Sequence, residues 1–213
     1  MIESVTLNGK DSSVYSLVLN SKAISSPSAK TYTVAIDGAD GVLDFTEAFG
    51  DVKYENRDIS LSFTIMEQPG YLLTAYSRIL SDLHGQRIKV TFATDPGWYY
   101  EGRAGFSSLK VSKGVGTFTL KLDADPYKYK QVKTVRTFTI DGSASIALRN
   151  DRMRVLPTWL SDSDMTITYE GTSYSLTAGT ESYITDIELA EGVTHVTATG
   201  TGTLTVSYQE GRL

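Results

Sequence analysis

The sequence contains no cysteine among its 213 residues. This excludes disulfide bonds, thiol nucleophiles and thiolate metal sites together. The chain is therefore expected to be made in a reducing cytosol, or to belong to an assembly that does not rely on disulfides.

Long apolar runs and clusters of basic residues are also missing. No segment approaches the roughly 20 apolar residues of a membrane helix, and the N-terminus lacks the basic and apolar regions of a signal peptide. Residues 1–130 carry 14 Lys and Arg against 15 Asp and Glu, and residues 131–213 carry 6 against 10. Nucleic-acid binding needs clustered cations that neutralise phosphates. We therefore expect neither membrane insertion nor stable nucleic-acid binding.

Alternation of apolar and polar residues dominates what is present. Ile59, Leu61, Phe63 and Ile65 alternate with small hydroxyl residues, which is typical of a strand with one buried face. One segment differs: in residues 71–83 the apolar residues recur at spacings of three and four, which predicts a helix over about 70–84, ended by Gly85. The predicted fold class is all-β with one helix.

The composition changes after Asp125, Pro126 and Tyr127, which we interpret as the domain junction. Proline fixes φ and favours an extended residue before it, so a stiff exit from the first domain is expected. The later part is rich in Thr, and Asp141-Gly142 and Glu170-Gly171 occupy predicted hairpin turns. We predict a β domain with one helix over residues 1–130 and a C-terminal galectin-like or jelly-roll β-sandwich over residues 131–213.

The sequence offers little catalytic chemistry. Its two histidines, His84 and His195, are expected to be capping or surface residues. Residues 37–44 faintly resemble a calcium loop but lack its ligand order and closing Glu, so an acidic turn is expected. A glycosidase pair of carboxylates stays open, because acidic residues are common and no particular pair is marked. We predict no enzyme activity and no catalytic, cofactor or metal site.

Aromatic residues of the second part are candidate contacts with a glycan or a protein. They are Trp159, Tyr169, Tyr174 and Tyr183. For Trp159, packing in the core is the alternative, because it lies in an otherwise apolar strand after Pro157.

The order of several short motifs resembles the distal tail proteins of long-tailed siphophages and their prophages. The resemblance covers essentially the whole chain. The motifs are, in chain order, Asn56-Arg57-Asp58 before an alternating strand, the helix of residues 71–83, Gly85-Gln86-Arg87, Asp95-Pro96-Gly97-Trp98, Glu101-Gly102-Arg103, Asp125-Pro126-Tyr127 and the final run over residues 192–208.

The resemblance implies an assembly role. In that family, an N-terminal β-sandwich with one helix and an extended hairpin forms a hexameric ring between the tail tube and the tail-tip hub protein, with a galectin-like domain on the outside. The resulting hypothesis is a structural baseplate hub protein in the virion tail tip, synthesised in the host bacterial cytoplasm. The alternative is a carbohydrate-binding module that contacts host-surface glycans through the second domain.

Overall fold

The computed structural model describes residues 4–48 and 50–213. Residues 1–3, part of the stretch that argues against a signal peptide, lie outside the described residues. The chain divides into two compact units, the first ending at Lys128 and the second spanning Tyr129–Leu213. Strands dominate both units, and the described part of the chain has one α-helix, so the predicted fold class is confirmed.

The first unit is built on one antiparallel sheet with strand order β2-β1-β7-β8-β10-β6-β3, and β9 pairs with β10. A separate pair, β4 and β5, forms a two-stranded sheet. The bounds are β1 Val5–Leu7, β2 Lys10–Asp11, β3 Leu17–Ile24, β4 Thr33–Ala35, β5 Val42–Asp44, β6 Arg57–Ile65, β7 Arg87–Phe92, β8 Trp98–Phe106, β9 Lys110–Ser112 and β10 Val115–Ala124.

The central strand β6 follows the alternation in its sequence. Ile59, Leu61 and Phe63 are fully buried, whereas Ser60 and Ser62 between them lie on the other face. β10 pairs with β6 over its whole length, with Phe118 opposite Phe63. The sheet therefore has one apolar face, which needs a cover.

Helix α1 (Leu72–Leu83) provides this cover, after a 3-10 turn at Pro69–Tyr71. Its buried residues Leu72, Ile79 and Leu83 belong to the predicted apolar stripe. Gly85 follows the helix with φ +73°, so the predicted helix and its end are confirmed. A second 3-10 turn, Ser12–Tyr15, precedes β3. The alternation in the sequence predicts a strand over residues 14–19, whereas the strand begins only at Leu17.

The second unit has its own core. Its strands are β12 Thr134–Asn150, β13 Thr158–Ser161, β14 Met165–Tyr169, β15 Thr172–Leu176, β16 Ser182–Tyr183, β17 Gly192–Tyr208 and β18 Gly211–Arg212, while β11 (Lys128–Lys130) spans the boundary between the units. The sheet order is β15-β14-β17-β13-β16, with β12 on the other side of β17.

β12 and β17 are each one long strand of 17 residues. The alternation in the sequence predicts two shorter strands in each, over residues 135–140 and 145–149 and over residues 195–199 and 203–208. The prediction of a hairpin turn at Asp141-Gly142 is therefore wrong. Gly142 lies opposite Gly200 in an unbroken pairing, and β17 changes partner from β14 to β13 just beyond this point. Gly142 and Gly200 both have positive φ, which glycine adopts without steric cost, so both strands continue through these positions. The turn at Glu170-Gly171 is present, with positive φ at both residues.

Candidate assembly surfaces

The most unusual surface of the first unit is the hairpin of β4 and β5. Val34 pairs with Leu43, and the loop between the strands contains Gly38 and Gly41, both with positive φ. Residues 37–44, which resemble a calcium loop in sequence, thus form the turn and return strand of this hairpin. Among the described residues, no group of three or more His, Asp or Glu side chains could hold a metal ion.

One face of this hairpin is apolar. Residues two apart on a strand share a face, and directly paired residues do so too. We call this surface the hairpin face, and its five residues are between 38% and 59% exposed: Tyr32, Val34, Ile36, Leu43 and Phe45. Tyr32 and Phe45 lie side by side, with ring centroids 6.3 Å apart. None of the five belongs to the core of the first unit.

The hairpin is also acidic. Residues 30–55 carry two lysines against six Asp and Glu, a net charge of −4. The rest of residues 1–130 carries 12 Lys and Arg against nine Asp and Glu, a net charge of +3. The segment of residues 30–55, which contains the hairpin, and the rest of residues 1–130 therefore have opposite net charges.

A groove of about 210 Å³ lies between the Ser12–Tyr15 turn and helix α1. We call it the α1 groove. Its walls include Val14 and Tyr15 from the turn, and Tyr71, Ala75 and Ile79 from the helix and its start. The polar residues Ser16, Glu67, Thr74 and Arg78 complete the lining.

The charged groups of the groove differ in their contacts. Glu67 accepts a hydrogen bond of 2.7 Å from the Ser16 hydroxyl. Arg78 has no carboxylate within ion-pair distance among residues 4–48 and 50–213. Lys10 and Asp82 form an ion pair of 3.5 Å, and the Tyr15 hydroxyl donates to Asp82.

Other apolar side chains of the first unit are also exposed, and Val14 and Tyr71 among them line the α1 groove. Met66 and Leu73 are 64% and 70% exposed, and Val14 and Tyr71 are also exposed. The turn between β9 and β10 lies close to Pro69, because a Cβ atom at Gly114 would be 3.1 Å from the Pro69 Cγ. Val111 on β9 and Val115 on β10, on either side of this turn, are exposed. Apart from the hairpin residues and Ile24 at the end of β3, these are the exposed large apolar residues described in the first unit.

The face of the main sheet that points away from the helix is polar. On β6 it presents Ser60, Ser62 and Thr64, and on β10 it presents Thr117 and Thr119. Val18 of β3 lies opposite Thr64 on the same face, so this face is mostly but not wholly polar.

The predicted junction is bound to the first unit by two arginines, the buried Arg57 and the exposed Arg87. The Arg57 guanidinium donates to the Pro126 carbonyl and lies 5.6 Å from the Tyr100 ring. Burial lowers the pKa of Arg57, and the neighbouring Tyr100 opposes this effect. Arg87 pairs with the Asp125 carboxylate.

Backbone and ring contacts add to this anchoring. The Asp125 N–H donates to the Glu101 carbonyl at 2.8 Å. Tyr127 meets Tyr54 edge to face, with ring centroids 6.0 Å apart. The chain thus leaves the first unit through residues that this unit holds in place.

The four candidate contact aromatics of the second unit occupy different environments. Trp159 is fully buried in the core, so it offers no surface to a glycan or a partner. Tyr169 and Tyr174 pack against that core from β14 and β15, and the Tyr174 hydroxyl donates to Asp186 at 2.8 Å. Tyr183 is 66% exposed on β16. The structure does not bring the four together on one platform, which weakens the glycan alternative.

The two histidines lie on the surfaces of separate units. His84 follows helix α1 and contacts the Phe106 ring, at a centroid distance of 5.9 Å. His195 is exposed on β17 opposite Ala147. No described helix is long and apolar enough to cross a membrane.

The fold and surfaces define a two-unit β protein with a projecting amphipathic hairpin. The structure is similar to the crystal structure of the Dit protein (gp 19.1) of phage SPP1, with a TM-score of 0.73, 18% sequence identity and coverage of 100% of both chains. The SPP1 protein is described as a paradigm of the hub adsorption apparatus in phages that infect Gram-positive bacteria. The likeness shows that this chain has the Dit fold over its whole length. No protein-family model matches the sequence, and no curated protein matches it.

Sequence reasoning missed the hairpin face. Its signal is present: Tyr32, Val34 and Ile36 alternate on one side of a Gly-containing turn, and Leu43 and Phe45 alternate on the other. The sequence alone cannot show that this apolar face is left uncovered by its own chain.

Proposed function

We propose that this protein is a structural distal tail, or baseplate hub, protein of a long-tailed phage or prophage. Six copies form a ring that joins the tail tube to the tail-tip protein. Its role is assembly rather than catalysis, and its place is the tip of the virion tail.

The fold supports this proposal. A full-length likeness to a phage hub protein, with both units matched, is the fold expected from the motif order in the sequence. Fold alone does not determine function, so a surface feature has to carry the argument further.

The hairpin face is the observation that carries the proposal. A two-stranded hairpin is marginally stable by itself in water, and exposed apolar side chains on one of its faces cost free energy unless another surface covers them. No core residue of its own unit covers this face. A projecting surface of this kind suits a heterologous contact between copies, which closes into a ring when the rotation permits.

The charge distribution agrees with a conduit for DNA. Lysines and arginines of the first unit are interspersed with carboxylates, and its total charge over residues 1–130 is only −1. Without a basic cluster, phosphates are not retained. We expect a lumen that is neutral to acidic.

Light scattering coupled to size-exclusion chromatography tests the proposal, together with electron microscopy of the same fractions. We expect particles with six times the 23.3 kDa mass of one chain and six-fold ring images. A protein that stays monomeric at all concentrations, alone and when mixed with the tail tube and tail-tip proteins of the same phage, would contradict it.

A further inference from the structure

We propose that the core of the second unit binds one internal water molecule, held between the Trp159 indole N–H and the Ser161 hydroxyl of β13. Its residue type makes Trp159 a candidate contact in the sequence, but the structure places it inside the core. The site is independent of the assembly role, because it lies in the interior of a single chain.

Two polar atoms of this core have no partner within the protein. Trp159 is 0% exposed and Ser161 is 1% exposed. The Trp159 Nε1 and the Ser161 Oγ form no hydrogen bond with any residue of the described ranges, 4–48 and 50–213. Buried indole N–H groups and hydroxyls are nearly always hydrogen-bonded, because an unpaired group loses its bonds to bulk water without replacement. Each of the two atoms therefore requires a partner that the described chain does not supply.

Both side chains lie on the same face of β13. Residues two apart on a strand share a face, and the other two residues of β13 are half-buried on the opposite face. Trp159 lies opposite Val206 of β17 and Ser161 lies opposite Leu204, and both of these neighbours are fully buried. The two polar atoms therefore share one otherwise apolar interior.

The spacing of the two residues suits a single bridging molecule. The Cα atoms of residues two apart on a strand are about 7 Å from each other. In the proposed arrangement the indole N–H points along β13 towards Ser161, and the water lies between the two side chains.

The chemistry of the two groups matches water. The indole N–H only donates, whereas the serine hydroxyl both donates and accepts, so a water molecule can accept from the first and bond to the second. Ser182 of β16 lies directly opposite Trp159 on the same face and is half-buried, which offers a third hydroxyl. Internal waters typically make about three such bonds. An ion would be costly to bury beside neutral groups, so a neutral molecule is the better occupant.

The backbone around Ser161 is held in place on both sides. The Ser161 carbonyl accepts a hydrogen bond of 2.8 Å from the Gly179 N–H. The carboxylate of the next residue, Asp162, accepts from the Thr203 N–H at 2.7 Å. A shift of β13 that gave the Ser161 hydroxyl a partner within the protein would break these bonds.

A high-resolution crystal structure of the full chain tests the site directly. We expect one ordered water within hydrogen-bond distance, about 2.5–3.2 Å, of both the Trp159 Nε1 and the Ser161 Oγ. The proposal is overturned if no water lies beside either atom, or if a water contacts only one of them.

A double-mutant cycle tests the same site in solution. Trp159→Phe removes the indole N–H but keeps an aromatic ring, and Ser161→Ala removes the hydroxyl. Each substitution should raise the equilibrium constant of unfolding by about tenfold or more, because the water loses one of its partners and the other group is left buried. A shared water couples the two groups, so the effect of the double variant should be at least about threefold smaller than the product of the two single effects.

The matched control is Ser175→Ala, which removes an exposed serine of β15. It should leave the unfolding constant nearly unchanged, and its effect should multiply with that of Trp159→Phe. If the effects of Trp159→Phe and Ser161→Ala multiply in the same way, the two groups share no water and the proposal is overturned. If the Trp159 variant does not fold, the crystal structure of the unmodified chain still decides between the two outcomes.

Discussion

Removing the apolar atoms of Val34 and Leu43 should weaken ring assembly without affecting the fold of a single chain. The perturbation is the double substitution Val34→Ala and Leu43→Ala. In the isolated chain the two side chains are 38% and 48% exposed. Substitution of such exposed residues usually changes the free energy of unfolding by less than about 0.5 kcal/mol.

The expected loss of association follows from the area that remains to be buried. Full burial of a Val or Leu side chain contributes about 1.5–3 kcal/mol, so covering the exposed part contributes about 1 kcal/mol for each. The double variant should thus lose about 2 kcal/mol per contact, or about 30-fold in the dissociation constant. Removing one subunit from a closed ring breaks two contacts, which brings the effect to about 4 kcal/mol, or about 1,000-fold.

Analytical ultracentrifugation over a dilution series measures this effect, and chemical denaturation measures the stability of the chain. The matched control is Val135→Ala with Val193→Ala, two exposed valines on strands of the second unit. Equal dissociation constants for the double variant and the control would refute the reasoning. So would a stability loss of the monomer as large as the loss of association, because the hairpin face would then be part of its own core.

Three further predictions concern the two units themselves. Gly102→Ala should destabilise the protein by about 3 kcal/mol in chemical denaturation, because its Cβ would lie 2.2 Å from the Asp123 carbonyl oxygen. Arg57→Ala should speed proteolysis near Pro126 and cost about 1.5–3 kcal/mol, because a charge-assisted hydrogen bond to that carbonyl is lost. Burial tends to raise the pKa of Glu210, but hydrogen bonds from Lys130 and Thr134 and the charges of Lys130 and Arg212 outweigh burial and leave the pKa below 4.5. The stability that Glu210 contributes is therefore present above pH 4.5 and is lost as the pH falls through the folded pKa. Denaturation from pH 7 to pH 3 should show a stability difference between wild type and Glu210→Gln that shrinks over this range.

Each of these predictions has a control in the same protein. Gly105→Ala lies on the same strand as Gly102, but its nearest contact would be 3.8 Å away, so little change is expected. Arg149→Ala removes an exposed arginine and should leave proteolysis near Pro126 unchanged. Glu181→Gln removes an exposed carboxylate of the second unit and is the matched control for Glu210→Gln. Equal effects of variant and control in any pair would contradict the corresponding explanation.

Local patterns were sufficient for much of the fold. The alternation around Ile59 and Phe63 identified β6 and its buried face, because the side-chain period of a strand is fixed by its backbone. Residues 71–83 identified the helix, since spacings of three and four define one side of it. The motif order pointed to the distal tail family, and the structure confirms the fold that this resemblance implies.

Other features depend on distant pairings that no local pattern contains. Asp141-Gly142 has turn chemistry, yet β12 continues through it because β17 pairs along its entire length with Gly200 opposite Gly142. Trp159 is a plausible contact residue by type, but the strands around it enclose it completely.

Local patterns in the sequence therefore determined that this protein is a mostly β chain with one helix. They also determined which strands have an apolar face. Only the tertiary structure decided which of those faces are covered. The face of β6 meets helix α1, whereas the similar face of residues 32–45 meets no core within its own unit. The physical reason is that alternation fixes the direction of side chains relative to their own backbone, while burial depends on which distant surface packs against them.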